Sequence, residues 1–244
     1  MPKTAILIPA RLGSERLPQK LILPLGESTV IGQCLKRIQS AQTGCPIILC
    51  TDSTRLAAEA EALGIDIAMT PDHFSCGSDR IAHVANMRSD DFILNVQADE
   101  AFISPQVIQH MITARESSTA DIVSCMVPIE NPDIFQQSSV VKVVCTQNRR
   151  AMYFSRAPIP FPRRPTVDHP ILGYGHIGLY AYTRAALLRF SSLPPSPLEH
   201  REGLEQLRAL EAGMSIEMIE VSEASLSIDT QADYDWAIKL VEKK

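Results

Sequence analysis

A chain of 244 residues with 45% hydrophobic and 21% charged side chains can bury a core without disulfide or metal staples, which excludes a mainly disordered protein. Its 23 lysines and arginines against 28 aspartates and glutamates give a formal charge of −5, so no basic excess calls for a nucleic-acid partner. No apolar run approaches the roughly 18 residues of a membrane span, and the stretch Ala5 to Ile8 is too short for a signal-peptide core, so a cytoplasmic protein without membrane insertion is expected.

In chain order, a first strand is predicted at Thr4–Pro9, then a helix at Val30–Gln39 and a strand at Pro46–Cys50. A helix at Thr54–Leu63, a strand at Ile65–Met69 and a helix at Asp79–Met87 follow. Next come a strand at Phe92–Val96 and a helix at Pro105–Arg115. Strands are expected at Asp121–Val127, Val140–Cys145 and Ile177–Tyr182, then a helix at Glu202–Ala212 and a strand at Ser215–Val221. A last helix runs over Gln231–Glu242. The early strands lack two-residue alternation, as parallel strands covered on both faces do. Strands alternating with helices argue for an α/β layer fold in one domain.

Helix starts are marked by Ser104-Pro105 and by Ser196-Pro197 with Glu199 at capping-box spacing. Thr230 with Asp233 resembles that box before the last helix. Trp236, Ile238, Leu240 and Val241 are expected to pack as that helix's apolar stripe. The six cysteines form no CxxC pair and read as reduced core thiols. Between Ala157 and Tyr174 the five prolines at 158, 160, 162, 165 and 170, with Arg163 and Arg164, forbid a helix. That segment is an extended arm or inserted loop, either a solvated linker or a subunit-contact or lid element.

Arg11, Arg16 and Lys20 lie in the ten-residue run 11–20 that follows the first strand. Ligands of open α/β sheets bind outside the carboxyl ends of strands, and three cations there suit a polyphosphate. Gly13 is the only glycine of this loop, so it carries neither GxGxxG nor GxxxxGK[ST], and side-chain cations and a few backbone N–H groups would hold the phosphates. The plainer alternative is a solvated basic loop.

The run Ile8-Pro9-Ala10-Arg11 to Arg16-Leu17-Pro18-Gln19-Lys20 resembles the opening of the sugar-acid cytidylyltransferases, most of all the 3-deoxy-manno-octulosonate cytidylyltransferase family. The resemblance continues at Thr51-Asp52, at Gly77 to Ala82, at Asn95-Val96-Gln97-Ala98-Asp99-Glu100 and at Tyr153 to Pro160. It recurs at His176 to Tyr182, at Ser196 to Glu199, at Glu202 to Glu211 and at Ile228-Asp229-Thr230. Each block is weak, but their joint order along nearly the whole chain is specific.

The resemblance implies a Rossmann-like, mixed and mostly parallel sheet between helices, of the nucleotide-diphospho-sugar transferase type. It also implies an inserted arm at about 155–180 that helps form a homodimer. The implied reaction joins CTP to a 3-deoxy sugar acid, with the anomeric hydroxyl attacking the α-phosphorus and pyrophosphate leaving, in the service of lipopolysaccharide assembly. Arg11 and Lys20 would grip the triphosphate, assisted by Arg16. The backbone of Pro9 and Ala10, with Ser78 and Arg80, would surround the cytidine.

Asp99 and Asp229 would hold Mg²⁺, whose preference is for hard oxygen ligands. Their plain alternatives are a turn aspartate and a helix cap. Gln97, Arg156, His176, Glu205 and Gln206 would recognise the sugar acid, Arg156 through its carboxylate. His176 could instead be a structural histidine, and Glu205 part of an exposed face paired with Arg208. Four departures bear on the sugar: Gln19 and Ala98 stand where the family has glycine, Ala101 where it has proline, and 72–78 is one residue longer. They leave open another sugar acid, such as a modified or sialic-acid type. A polyol-phosphate cytidylyltransferase and a non-catalytic nucleotide sensor are the remaining alternatives.

Overall fold

β1 (Thr4–Ala10) is buried at all seven positions, the signature of a strand covered on both faces. The computed structural model describes residues 2–14, 16–74, 76–163, 170–222 and 227–242. They divide into two compact units, Met1–Ile112 with Ser225–Lys244, and Thr113–Ala224. Both are built from strands flanked by helices, and the sheet architecture is the expected mixed, mostly parallel one.

In the first unit a short ribbon of β2 (Pro24–Leu25) and β3 (Ser28–Thr29) leads into α1 (Val30–Ser40), capped by Thr29 on the Gly32 N–H. Then follow β4 (Ile47–Thr51), α2 (Thr54–Glu61), β5 (Asp66–Met69), α3 (Gly77–Asn86), β6 (Phe92–Asn95) and α4 (Pro105–Ser117). β1 lies parallel between β6 and β4, and β5 extends the row beyond β4. Ile6, Leu7 and Ile8 are fully buried between the helix layers. The four strands and four helices predicted over residues 4–115 therefore appear within two residues of their expected bounds.

The second unit opens with β7 (Ile122–Ile129), followed by α5 (Pro132–Gln136), β8 (Lys142–Cys145), β9 (Ala151–Ser155) and β10 (Gly173–Thr183). α6 (Arg184–Ser192), α7 (Pro197–Glu202), α8 (Gln206–Glu211) and β11 (Ile216–Glu220) complete it. β7 pairs with β11 in parallel and with β10 antiparallel. β8 lies antiparallel to both β10 and β9. Lys142 is fully buried here, its ammonium donating to the carbonyls of Gln137, Val140 and Arg156 at 2.6–2.8 Å.

The chain then returns to the first unit as α9 (Gln231–Glu242), where Tyr234 donates to the Pro24 carbonyl at 2.5 Å. Both anticipated capping boxes form. Ser196 and Glu199 exchange side-chain and backbone bonds, and Asp233 does the same with Thr230.

Three expectations change. The predicted helix Glu202–Ala212 is broken at Gly203, whose φ of +64° ends α7 in the left-handed region. The last part of the expected arm, from Gly173, is a full strand of the sheet, because alternate residues of β10 are buried. Residues 164–169 of that arm lie outside the described residues. Trp236 is 48% exposed rather than packed, resting edge-on against Phe102 at 6.4 Å, while Ala237 is the buried residue of α9. All six cysteines are free, with Cys34, Cys50 and Cys125 buried.

Candidate functional site

A cavity of about 430 Å³ opens in the first unit at the carboxyl ends of β1 and β6. Pro9, Ala10, Arg11, Arg16 and Lys20 line it from the first loop. Arg80, Gln97, Asp99 and Asp229 line it from three further stretches. Nine residues named from the sequence thus converge on one space. The amino terminus of α3 closes against β1: a Cβ on Gly77 would stand 3.0 Å from the Pro9 ring. Glycine is needed there for close approach.

Lys20 opens a short 3₁₀ turn, Lys20–Ile22, preceded by Gln19 at φ 52°. Its ammonium bridges the carboxylates of Asp99 at 2.5 Å and Asp229 at 2.7 Å. Arg16 reaches the same Asp229 oxygen at 3.1 Å. A backbone bond from the Ile228 N–H to the Asp99 carbonyl, 3.1 Å, holds the two acidic stretches together. Asp233 caps the start of α9 by accepting from the N–H groups of Asp229 and Thr230. The Asp229 carboxylate is therefore turned to the cations and not spent on capping. Burial alone would lower the Lys20 pKa, but Asp99 and Asp229 outweigh it and hold the ammonium above its ordinary range. Burial pushes the Asp99 carboxyl up, and Lys20 pulls against it.

Arg80 is almost fully buried. Its guanidinium donates to Asp52 at 2.8 Å and to the Thr70 hydroxyl, and it lies 5.7 Å from the Phe74 ring centre. Ser78 is buried in the first turn of α3 and is not among the cavity-lining residues. Asp52 and Phe74 had no assigned role; only the Thr51-Asp52 block signalled the first. Ala98 lies in the cavity wall, and the non-glycine positive φ angles among the described residues fall at Gln19, Gln42 and Arg149. The extra methyl at 98 therefore carries no backbone strain.

The other named residues gather within the second unit. His176 Nε2 lies 2.9 Å from the Ser124 hydroxyl and its Nδ1 3.4 Å from Gln206 Nε2. The Phe154 ring meets the imidazole edge-on at 4.9 Å. Burial drives the His176 pKa down to about 3, so the ring is neutral at ordinary pH. Glu205 precedes α8, and its charge contributes, after burial and Tyr182, to pushing the Tyr180 hydroxyl well up. Arg208 pairs with Glu199 at 2.5 and 2.8 Å.

Arg156 braces the turn between α7 and α8. Three of its five N–H groups donate to the carbonyls of Glu202, Ser138 and Gly203 at 2.8–3.4 Å. Glu202, unassigned from the sequence, accepts from the Ser155 hydroxyl and the Arg156 N–H. Gln97 differs from the rest of the predicted sugar set. It lines the first unit's cavity, with its amide nitrogen donating to the Asn95 side-chain Oδ1 at 3.5 Å.

A family profile described as Cytidylyltransferase matches residues 5–216. The chain is 38% identical over 245 residues to the 3-deoxy-manno-octulosonate cytidylyltransferase of Chloroherpeton thalassium, covering 99% of both chains. This chain belongs to the 3-deoxy-manno-octulosonate cytidylyltransferase family. The Brucella anthropi member is 42% identical over 249 residues, covering 98% of this chain and 96% of its own. A solved CMP:2-keto-3-deoxy-manno-octonic acid synthetase, complexed with CTP, superposes with a TM-score of 0.91 at 32% identity, covering 99% of each chain. A glucose-1-phosphate thymidylyltransferase from Bacillus anthracis shares the fold at a TM-score of 0.69 and 15% identity. The cytidylyltransferase is an enzyme of the nucleotidyltransferase class, and enzymes of this type commonly use a divalent metal.

Proposed function

We infer that this cytidylyltransferase transfers CMP from CTP to the anomeric hydroxyl of 3-deoxy-manno-octulosonate, releasing pyrophosphate and supplying an activated sugar acid for lipopolysaccharide assembly in the cytoplasm. One observation carries the reading: Lys20, Asp99, Asp229 and Arg16 meet in a cavity that Arg11 also lines, in a chain 38% identical over its length to a 3-deoxy-manno-octulosonate cytidylyltransferase.

The donor set fits a divalent metal. Asp99 and Asp229, whose carboxylates lie 2.5 and 2.7 Å from the Lys20 ammonium, supply hard oxygens of the kind Mg²⁺ takes together with phosphate and water. Asp99 and Asp229 would hold Mg²⁺, which when bound neutralises phosphate charge. Lys20 and Arg16, with Arg11, then bind the triphosphate and favour the charge that develops on the departing pyrophosphate. Arg80, held by Asp52, and the Pro9–Ala10 backbone orient the cytidine, with Ser78 behind them. His176, Gln206, Glu205 and the remaining N–H groups of Arg156 are assigned to the sugar acid, together with Gln97 in the wall of the first unit's cavity.

Pyrophosphate release with purified enzyme, CTP and 3-deoxy-manno-octulosonate tests this. Turnover should exceed that with ATP or GTP by at least about a hundredfold. Asp99→Asn should keep the fold by circular dichroism and lose about a hundredfold or more at limiting Mg²⁺. Equal rates with purine nucleotides, or preference for a sialic acid, would overturn the assignment.

A further inference from the structure

Ser124 is fully buried in the middle of β7. It faces the point where the register between β10 and β7 shifts, between Ile177 and Tyr180. Three groups surround its hydroxyl: the Leu179 carbonyl at 2.9 Å, the Ile177 carbonyl at 3.3 Å and His176 Nε2 at 2.9 Å. A hydroxyl has one proton, and a carbonyl oxygen can only accept. An oxygen 2.9 Å away without an intervening proton would repel, so the Ser124 proton goes to Leu179. His176 Nε2 must then be the donor to Ser124 Oγ.

The consequence passes across the ring. The imidazole is neutral, so a proton on Nε2 leaves a lone pair on Nδ1. The group facing Nδ1 at 3.4 Å must be a donor, and it is the Gln206 amide nitrogen. The carboxamide nitrogen is thereby committed to His176, and its oxygen is the end left for another partner. We propose that Ser124 is a positioning residue for the sugar acid: it holds His176 as the Nε2–H tautomer and thereby makes Gln206 present its carbonyl oxygen to a substrate hydroxyl. The inference rests on the assignment of His176 and Gln206 to the sugar side.

The test uses Ser124→Ala, which removes the hydroxyl and fills the space with almost the same volume. Nitrogen NMR of histidine-labelled enzyme, with His176 identified by the signal lost in His176→Asn, reads the tautomer without any substrate. The wild type should show Nε2 protonated and Nδ1 bare, and Ser124→Ala should show a mixture of tautomers. In two-substrate kinetics Ser124→Ala should raise the sugar KM roughly tenfold, with the CTP KM unchanged. A role confined to bracing the bulge would shift neither the tautomer nor the ratio of the two KM values. A wild-type His176 protonated on Nδ1, or a Ser124→Ala spectrum identical to wild type, would overturn the relay. An unchanged sugar KM in Ser124→Ala would overturn its bearing on the sugar. Gln206→Ala separates the causes: a raised sugar KM there leaves the sugar-side assignment standing, and an unchanged one removes that assignment as well.

Discussion

Gln19 holds a left-handed conformation, φ 52° and ψ 28°, one residue before the bridging lysine. A side chain there costs about 1–2 kcal/mol relative to the right-handed region, whereas glycine adopts it freely. The glycine that the resemblance implies at this position would be free of that cost. Part of the gain from glycine is offset by its greater freedom in the unfolded chain. Gln19→Gly is expected to stabilise the enzyme by about 0.5–1 kcal/mol, raising Tm by about 2 °C, with turnover unchanged. Thermal melts of the two proteins check it. A lower Tm would mean that the Gln19 contact to Arg55, 3.5 Å, contributes more than the strain. Ala98 is the opposite case, since its backbone is unstrained and its methyl acts only through the cavity wall.

The break between α7 and α8 shows why a helical stripe can mislead. Leu204, Leu207 and Leu210 keep a helical period across 202–212, and the period alone reads as one helix. Gly203 ends α7 by donating its N–H to the Glu199 carbonyl at 2.7 Å in the left-handed region, and its own carbonyl accepts from Arg156. A Cβ there would meet only the Arg156 guanidinium at 4.0 Å, so the cost of a larger residue is conformational and not steric. Gly203→Ala should therefore destabilise by about 1–2 kcal/mol and lower Tm by about 2–6 °C. Denaturant melts would show a reduced midpoint at constant slope; an unmoved midpoint would mean that the turn tolerates another geometry. The capping boxes at Ser196 and Thr230 were readable because a cap is a local exchange between residues three apart.

The first unit is completed by a stretch from the far end of the chain, 225–244, and its carboxylate pair depends on that return. On the second unit, Phe161 is 83% exposed and Met152 61%, in or beside the proline-rich segment. Large apolar side chains left in water forgo roughly 1.5–3 kcal/mol each, and we propose that the homodimer implied by the family resemblance covers them. Light scattering at micromolar concentration should give twice the chain mass of 26.9 kDa, and Phe161→Asp should shift the equilibrium toward monomer. A monomer mass for the wild type across that range would rule the dimer out.

The sequence by itself determined the alternation of strands and helices, the cluster Arg11, Arg16 and Lys20, and the ordered family blocks. These are legible because hydrophobic periodicity, capping and phosphate-binding cations are properties of short stretches. β9, α6 and the split at Gly203 were not legible, because each is chosen by what it packs against. Only the tertiary structure decided that the Lys20 ammonium meets Asp99 and Asp229, that Asp233 takes the capping so that Asp229 need not, and that Arg156 spends three donors on carbonyls. Only it brought Ser124 to His176, since a lone serine in an apolar strand carries no pattern. The reason is the same in each case. A charged or polar side chain goes to whichever partner long-range packing brings within about 3 Å, and no local spacing encodes which residue that is.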